Sequence, residues 1–499
     1  MANEKTASLP MLSLSGRQRK EAFYVNSPGR AYRRYVLVSS SIASGHENLP
    51  HGPLFSALAG LDQRSKRPGL TRWSLEFLLF TALLMVYESG STLQDRFRNA
   101  RECLIEMFPG RRRPGKSYTG FVKAWRRFTP RMHEALKQHL REAHRSIAGS
   151  FQKRWGWSAF ACDGSRVEVP RTAANEKALG CAGRTKTGPQ LFVTTLYHMG
   201  TGLPWDWTIG RGTESERDHL RRMLTTLPAD SLIVADAGFT GFELLREILA
   251  QGHSFLIRVG ANVTLLTELE LEVERHRETV WLWPLGKREE SPLKLRLIRL
   301  TKSVAGPSSE MCLLTNVFDR ERLSEETAGV LYRMRWGVEL FYRGFKQTLE
   351  QRKLRSDSPD QARWELQMGV VAMLLLGLMS VAGIIAAQKD PLSWSVGGAL
   401  RIVRTAMRTP RRWRRRGDLR VLLLTAVQDG HVRTGSKQAR AWPHKKRDRP
   451  PGLPKMRPAT ADESRCATER YREAGSPCAH GVASHPSMSP RVANGKSFR

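Results

Sequence analysis

The sequence predicts an α/β protein, a mixed sheet with helices on its faces, preceded by a run of helices. Three observations predict it. From about residue 70 to 148 apolar side chains recur at helical spacing, as in "RWSLEFLLFTALLMVYESG". From about 157 the period changes to strands, which then alternate with helices through "SLIVADAGF", "GFELLREILAQG" and "HSFLIRVG". Strand-like text returns at about 262–318, and only then does the long helical stretch "SEETAGVLYRMRWGVELFYRGFKQTLEQRKL" begin.

Residues 1–65 are polar and Gly/Ser-dotted, and are expected to form a loosely ordered arm. Residues 66–150 are expected to be a helical, DNA-binding domain. There a basic loop, a Ser117 cap and a helix carrying Lys123, Arg126 and Arg127 resemble a helix-turn-helix; a plain bundle with a basic face reads equally well. Next, "WSAFACDGSRVEVP" reads as two strands with a turn between them, followed by the strands "QLFVTTLYH" and "LPWDWTIG". Ser324, with two acidic residues behind it, caps the later helix. Residues 391–433 form a basic helical segment, and 434–499, dominated by Pro, Lys, Arg, Ser and Gly, are expected to be a disordered basic tail.

The charge restricts the partners. Lys and Arg number 81 against 47 Asp and Glu, a net +34, which favours a polyanion such as nucleic acid. Six scattered cysteines make no CxxC pair or zinc spacing and fit a reducing cytoplasm. The apolar stretch 368–387 is long enough to span a bilayer, but it directly follows the polar helix and carries small residues suited to close packing, so it is read as a buried core helix.

Asp163 follows the apolar run "WSAFAC", and Asp236 follows "SLIVA". Functional groups collect beyond the carboxyl ends of such strands, although a lone Asp there is more often a turn residue or helix cap. If the two strands are neighbours, the carboxylates lie side by side and repel unless a cation sits between them. Tyr332, Arg335, Glu339 and Lys346 stand at same-face helical steps. A third carboxylate, Glu339, on a helix packed against the sheet would complete a two-metal site, with Arg335 and Lys346 to hold phosphates. Glu214 and Glu216 in "GTESERDHL" read as a surface helix, and Arg184 and Lys186 as a loop that contacts phosphate or is simply solvated.

With those residues in place the chain resembles bacterial insertion-sequence transposases of the DDE type, in the family whose third motif is Y-x2-R-x3-E-x6-K (the insertion-sequence "four" family). Tyr332, Arg335, Glu339 and Lys346 complete that motif; "ACDGSRVEVPRT" supplies Asp163 and "LIVADAGFTGFELL" supplies Asp236. The resemblance runs from about 70 to 390. It implies an RNase H-like catalytic domain over 151–390 with a β-rich insertion at about 262–318. It also implies catalysis by Asp163, Asp236 and Glu339 as ligands of two Mg2+ ions, with Mn2+ able to substitute. DNA contacts would come from Tyr332, Arg335, Trp336, Arg343 and Lys346. The reaction would be nicking at the ends of a mobile element, hairpin formation and strand transfer into double-stranded target DNA, by a homodimer in the bacterial cytoplasm, at the nucleoid. Trp336 would assist base extrusion, with Trp281 or Trp283 as candidate stacking partner, although Trp in a β insertion is more often core. The rival readings are a catalytically silent or domesticated DNA-binding protein, another RNase H-like nuclease, and a membrane-anchored basic protein.

Overall fold

The computed structural model describes residues 72–181, 188–269, 278–301, 310–410, 419–428 and 452–473. The expected arm at 1–65, Arg184, Lys186 and most of the expected basic tail lie outside them.

Four helices come first: α1 (Leu75–Tyr87), α2 (Leu93–Met107), α3 (Tyr118–Trp125) and α4 (Pro130–Ala148). Each is opened by a hydroxyl that accepts a backbone N–H, from Ser74, Thr92, Ser117 and Thr129. Helix α1 is buried at every position but Glu76, because it is enclosed by its neighbours and by a later helix. Helix α4 buries Met132, Leu136 and Leu140 at helical spacing, and Lys137 and Arg141 on it reach Asp206 at 2.6 and 3.1 Å. The helical segment therefore shares one continuous core with the sheet.

Strands β1 (Ser158–Glu168), β2 (Gln190–His198) and β3 (Leu203–Arg211) form an antiparallel meander. A short helix, α5 (Ala173–Leu179), interrupts it. Helix α6 (Glu216–Met223) leads to β4 (Ser231–Ala235), and α7 (Phe242–Ala250) to β5 (Ser254–Val259). Both strands run parallel to β1. The order β3-β2-β1-β4-β5, with three antiparallel strands and two parallel additions, is the RNase H-like arrangement that the sequence predicts. The β1 stretch is one strand rather than two with a turn. Despite the turn chemistry of Asp163-Gly164-Ser165, β2 pairs with it without a break from Phe160 to Glu168.

The β-rich stretch continues the same sheet. Strands β6 (Thr264–Leu266), β7 (Thr279–Leu282), β8 (Leu293–Thr301) and β9 (Glu310–Thr315) extend it, β9 pairing with β5. Helices α8 (Glu325–Met334) and α9 (Trp336–Arg343) follow, then a π-helical turn at Gly344–Thr348. Ser324 caps α8 as expected. The long apolar helix α10 (Pro359–Ala386) packs against α1, α4 and β3; Tyr87 donates to the Ala372 carbonyl at 2.8 Å. Among the described residues it is the one helix long and apolar enough to cross a membrane, and its buried packing makes it a core element. Helices α11 (Val396–Arg408) and α12 (Leu419–Leu423) cover it.

One expectation is overturned here. Part of 434–499, read as disordered, forms β10 (Lys455–Arg457), paired with β6, and helix α13 (Ala461–Glu473). The polar composition of that window hides a short amphipathic element. Thr460 and Glu463 form a reciprocal capping box, at 2.9 and 3.2 Å. Ala467, Cys466 and Tyr471 then lie against the core built from the insertion strands.

Candidate active site

Alternation along the two parallel strands places the first two carboxylates. Ala159 and Ala161 of β1, with Leu232 and Val234 of β4, face one core; Phe160, Cys162, Ile233 and Ala235 face the other. Cys162 is register partner to Ala235, so Asp163 and Asp236 come next, side by side and on the face that carries α9. Strand β4 ends there while β1 runs on beside β2. That missing neighbour opens space in front of Asp163. Each aspartate fixes one oxygen on the backbone: Asp163 Oδ1 accepts from Gly164 N at 2.9 Å, and Asp236 Oδ1 from Gly238 N at 2.8 Å. The second oxygen of each makes no hydrogen bond among the described residues.

The expected polar stripe does not lie on one helix. It is carried by α8, the break at Arg335, α9 and the π-helical turn, which together keep Tyr332, Arg335, Glu339 and Lys346 along the sheet. Arg335 sits between two carboxylates, 3.0 Å from Glu339 Oε1 and 3.9 Å from Asp163 Oδ2. Its Nε is buried with no hydrogen-bond partner among the described residues. Lys346 donates to the Arg166 carbonyl at 2.7 Å. Tyr342, buried on α9, brings its hydroxyl to 3.0 Å from the carbonyl oxygens of Asp163 and Val193 and from Thr195 Oγ1. It fastens the helix of Glu339 to the strand of Asp163.

A fourth carboxylate belongs to this group, and the sequence reading missed it. Glu216 is not a surface residue of an unrelated helix. A Cβ placed on Gly164 would stand 2.6 Å from Glu216 Oε1, and one on Gly238 would stand 3.8 Å from Glu216 Oε2. The carboxylate thus reaches over the strand ends from the opposite face of the sheet. The signal that could have found it is position: α6 is the helix that leads into β4, so its first turn borders Asp163 and Asp236. Burial raises the Glu216 pKa to about 7, with Asp163 and Asp236 adding to the rise and Arg166 opposing it. Burial likewise raises Asp163 to about 6; the Gly164 amide and Arg335 oppose the rise, and Asp236 and Glu339 add to it.

Residues 155–375, which hold all of these groups, match the family model described as "Transposase DDE domain". That match to a transposase DDE domain covers less than half of the chain. It is similar to the transposase InsG for insertion sequence element IS4 of Escherichia coli strain K12, 25% identical over 227 residues, 42% of this chain and 49% of that protein. It is also similar to a putative transposase for insertion sequence element IS4SA of Synechocystis, 20% identical over 197 residues, 38% of this chain and 54% of that protein. The chain spans about half the length of these curated relatives. Among solved structures, the piggyBac transposase synaptic complex with hairpin DNA matches with a TM-score of 0.37 and 14% identity, over 77% of this chain and 83% of that one; nothing is drawn from so distant a likeness.

The other residues that the sequence reading singled out are placed as follows. Trp336, Leu340 and Arg343 lie exposed on the outer side of α9. Lys123 and Arg126 are exposed at the end of α3, whereas Arg127 turns in to the Trp73 carbonyl at 2.8 Å. Trp281 and Trp283 are buried at 4% and 3% exposure, so neither is open to a stacking base. Tyr471 of α13 meets Trp281 edge-on at 6.1 Å, and Trp283 donates to the Glu290 carbonyl at 2.7 Å. Among the described residues no three His, Cys, Asp or Glu side chains stand ready to hold one ion; the Arg335 cation occupies the gap between Asp163 and Glu339. The donor set is nonetheless all oxygen, partly buried and already gathered around a positive charge, which fits a hard divalent cation.

Proposed function

We propose that the chain is a DNA transposase that binds the terminal repeats of its insertion sequence and carries out nicking, hairpin formation and strand transfer by a cut-and-paste route. The observation that carries this reading is Arg335 held between Asp163 and Glu339, at 3.9 and 3.0 Å, with Asp236 one position past the register partner of Cys162 on the adjacent strand. Divalent metals, Mg2+ with Mn2+ as substitute, bound by these three residues would supply the charge that activates an attacking water or 3′-hydroxyl and stabilises the leaving oxygen.

The protein's own groups do the rest. The backbone amides of Gly164 and Gly238 hold one oxygen of each aspartate and leave the other facing the open end of β4. Arg335, its guanidinium beside Asp163 and Glu339, would supply a fixed cation to a phosphate once metal ions take over the carboxylates. Lys346, a turn further along, adds a second fixed cation. The net charge of +34 supports a polyanionic partner, with Lys123, Arg126 and Arg343 as exposed contacts. Trp336, exposed next to Arg335, supports base extrusion at the hairpin stage. In this reading a homodimer in the bacterial cytoplasm, associated with the nucleoid, acts on paired ends, and the helices of 66–150 contact DNA.

The test is a nicking assay on terminal-repeat DNA with Mg2+, comparing wild type with Asp163→Ala and Glu339→Gln. The reading requires nicking by wild type and a loss of at least about a thousandfold in each variant with DNA binding retained. Binding without nicking in all three forms identifies a catalytically silent DNA-binding protein instead.

A further inference from the structure

We propose that Arg352 and Lys353 form a phosphate-binding ledge that holds the DNA backbone about five base pairs from the nicked bond, a proposal that rests on the transposase reading. Strand β1 runs on past the end of β4 as far as Glu168. Its vacated edge is taken by the chain from the π-helical turn onward. Lys346 donates to the Arg166 carbonyl at 2.7 Å. The Arg352 carbonyl accepts from Glu168 N at 3.4 Å, and Leu354 N donates to the Glu168 carbonyl at 2.8 Å. Lys353 thereby bridges to Glu168 in parallel. Gln351 and Leu354 point inward and are buried, while Arg352 and Lys353 are exposed. The backbone is fixed, and two cationic side chains face out from it.

Neither cation is neutralised within the protein. Among the described residues the side chains of Arg352 and Lys353 make no hydrogen bond or ion pair. Nearby carboxylates are already engaged: Glu350 by Arg96 and Arg404 at 2.9 and 3.5 Å, and Glu176 by Arg171 at 2.7 Å. Arg166, exposed on the same stretch of β1, lies over the Phe192 ring at 4.6 Å and donates to the Gly212 carbonyl at 2.9 Å. Burial, and then the Arg352 cation, hold the Lys346 ammonium below its usual pKa, and Glu168 opposes them. Cations gathered this closely repel one another until an anion joins them, and a phosphodiester backbone supplies anions at regular steps. Glu168 stands five residues beyond Asp163 on β1, about 16 Å at the usual strand rise. That is about five steps of B-DNA at about 3.4 Å each. One strand laid along β1 would thus meet Arg335 and Lys346 first and the ledge next.

The test is the salt dependence of binding by the full chain to a duplex carrying the terminal repeat, read by fluorescence anisotropy. Wild type is compared with Arg352→Ala, Lys353→Ala, the double variant and Lys389→Ala, each shown to be folded by circular dichroism. Lys389, exposed beyond the end of α10, serves as control. The slope of log K against log salt should become shallower by about 0.9 in each single variant and about 1.8 in the double variant, and stay unchanged in Lys389→Ala. Neutral methylphosphonates about five steps from the nick should weaken wild type and leave the double variant unaffected. If the double variant keeps the wild-type slope and the same response to methylphosphonates, Arg352 and Lys353 touch no phosphate, and nicking by wild type leaves the transposase reading standing. If wild type binds without nicking, the transposase reading falls and the slopes still judge the ledge. If wild type neither binds nor nicks the duplex, both fall.

Discussion

The hydroxyl of Tyr342 lies 3.0 Å from the carbonyl oxygen of Asp163. The contact ties the helix that carries Glu339 to the strand that carries the first aspartate, and the same hydroxyl reaches Val193 and Thr195 on the next strand. Tyr342→Phe removes this shared donor from a buried setting. It should cost about 1–2 kcal/mol in unfolding free energy. The nicking rate should fall by more than that loss of stability explains, because the carboxylates are no longer held in register. Chemical denaturation and single-turnover nicking on the same preparation measure the two effects separately.

Arg335 carries a different burden. It neutralises Glu339 and Asp163 and offers an unpartnered Nε. Arg335→Lys keeps the charge but loses the planar fork, so it should not rescue. Both Arg335→Ala and Arg335→Lys should lower the nicking rate by about a hundredfold or more, with end binding reduced far less. Rate and gel-shift measurements at one salt concentration decide this.

Acidity gives a third prediction. Asp163 and Glu216 have folded pKa values raised to about 6 and about 7. Between about pH 4 and 7 the native state thus holds more protons than the unfolded chain. Stability falls as pH rises through that window, and the cost is fully present above it. In EDTA, Asp163→Asn or Glu216→Gln should raise Tm by a few degrees at pH 8, and the gain should shrink towards pH 5. Differential scanning fluorimetry across that range checks the sign.

The tryptophans separate by burial. Trp283→Ala opens a cavity beneath the insertion and should destabilise by about 3–5 kcal/mol. Trp336, half exposed, should be replaceable by Ala with no loss of Tm but with fewer hairpin products among the nicked ends. A thermal melt and a denaturing gel of the reaction products read both.

Much of this architecture was legible because it is written in local periods. The switch from helical to strand spacing near 157 marked the change from helices to sheet, and "SLIVA" announced an apolar strand. Asp163 and Asp236 were legible for the same reason, since each interrupts an apolar run. Glu216 was not, because its role is fixed by where α6 crosses the strand ends, and "SERDHL" looks like any charged helix. The capping box at Thr460 and Glu463 was present in the text but lost among prolines and arginines. Trp281 and Trp283 turned out to be core, as Trp in a β insertion more often is: Tyr471 of α13 meets Trp281, and Trp283 donates to the carbonyls of Lys287 and Glu290. The break at Arg335 also went unseen, since Tyr332, Arg335 and Glu339 keep helical spacing across it.

The central claim is that the carboxylates gather a pair of metal ions, and anomalous diffraction tests it most directly. Crystals of the full chain bound to cleaved terminal-repeat DNA would be grown with Mn2+. The account predicts two manganese peaks about 3.5–4 Å apart, in contact with Asp163, Asp236 and Glu339, the last released from Arg335. Peaks elsewhere, or carboxylates still closed on Arg335 with DNA in place and no manganese between them, would contradict it.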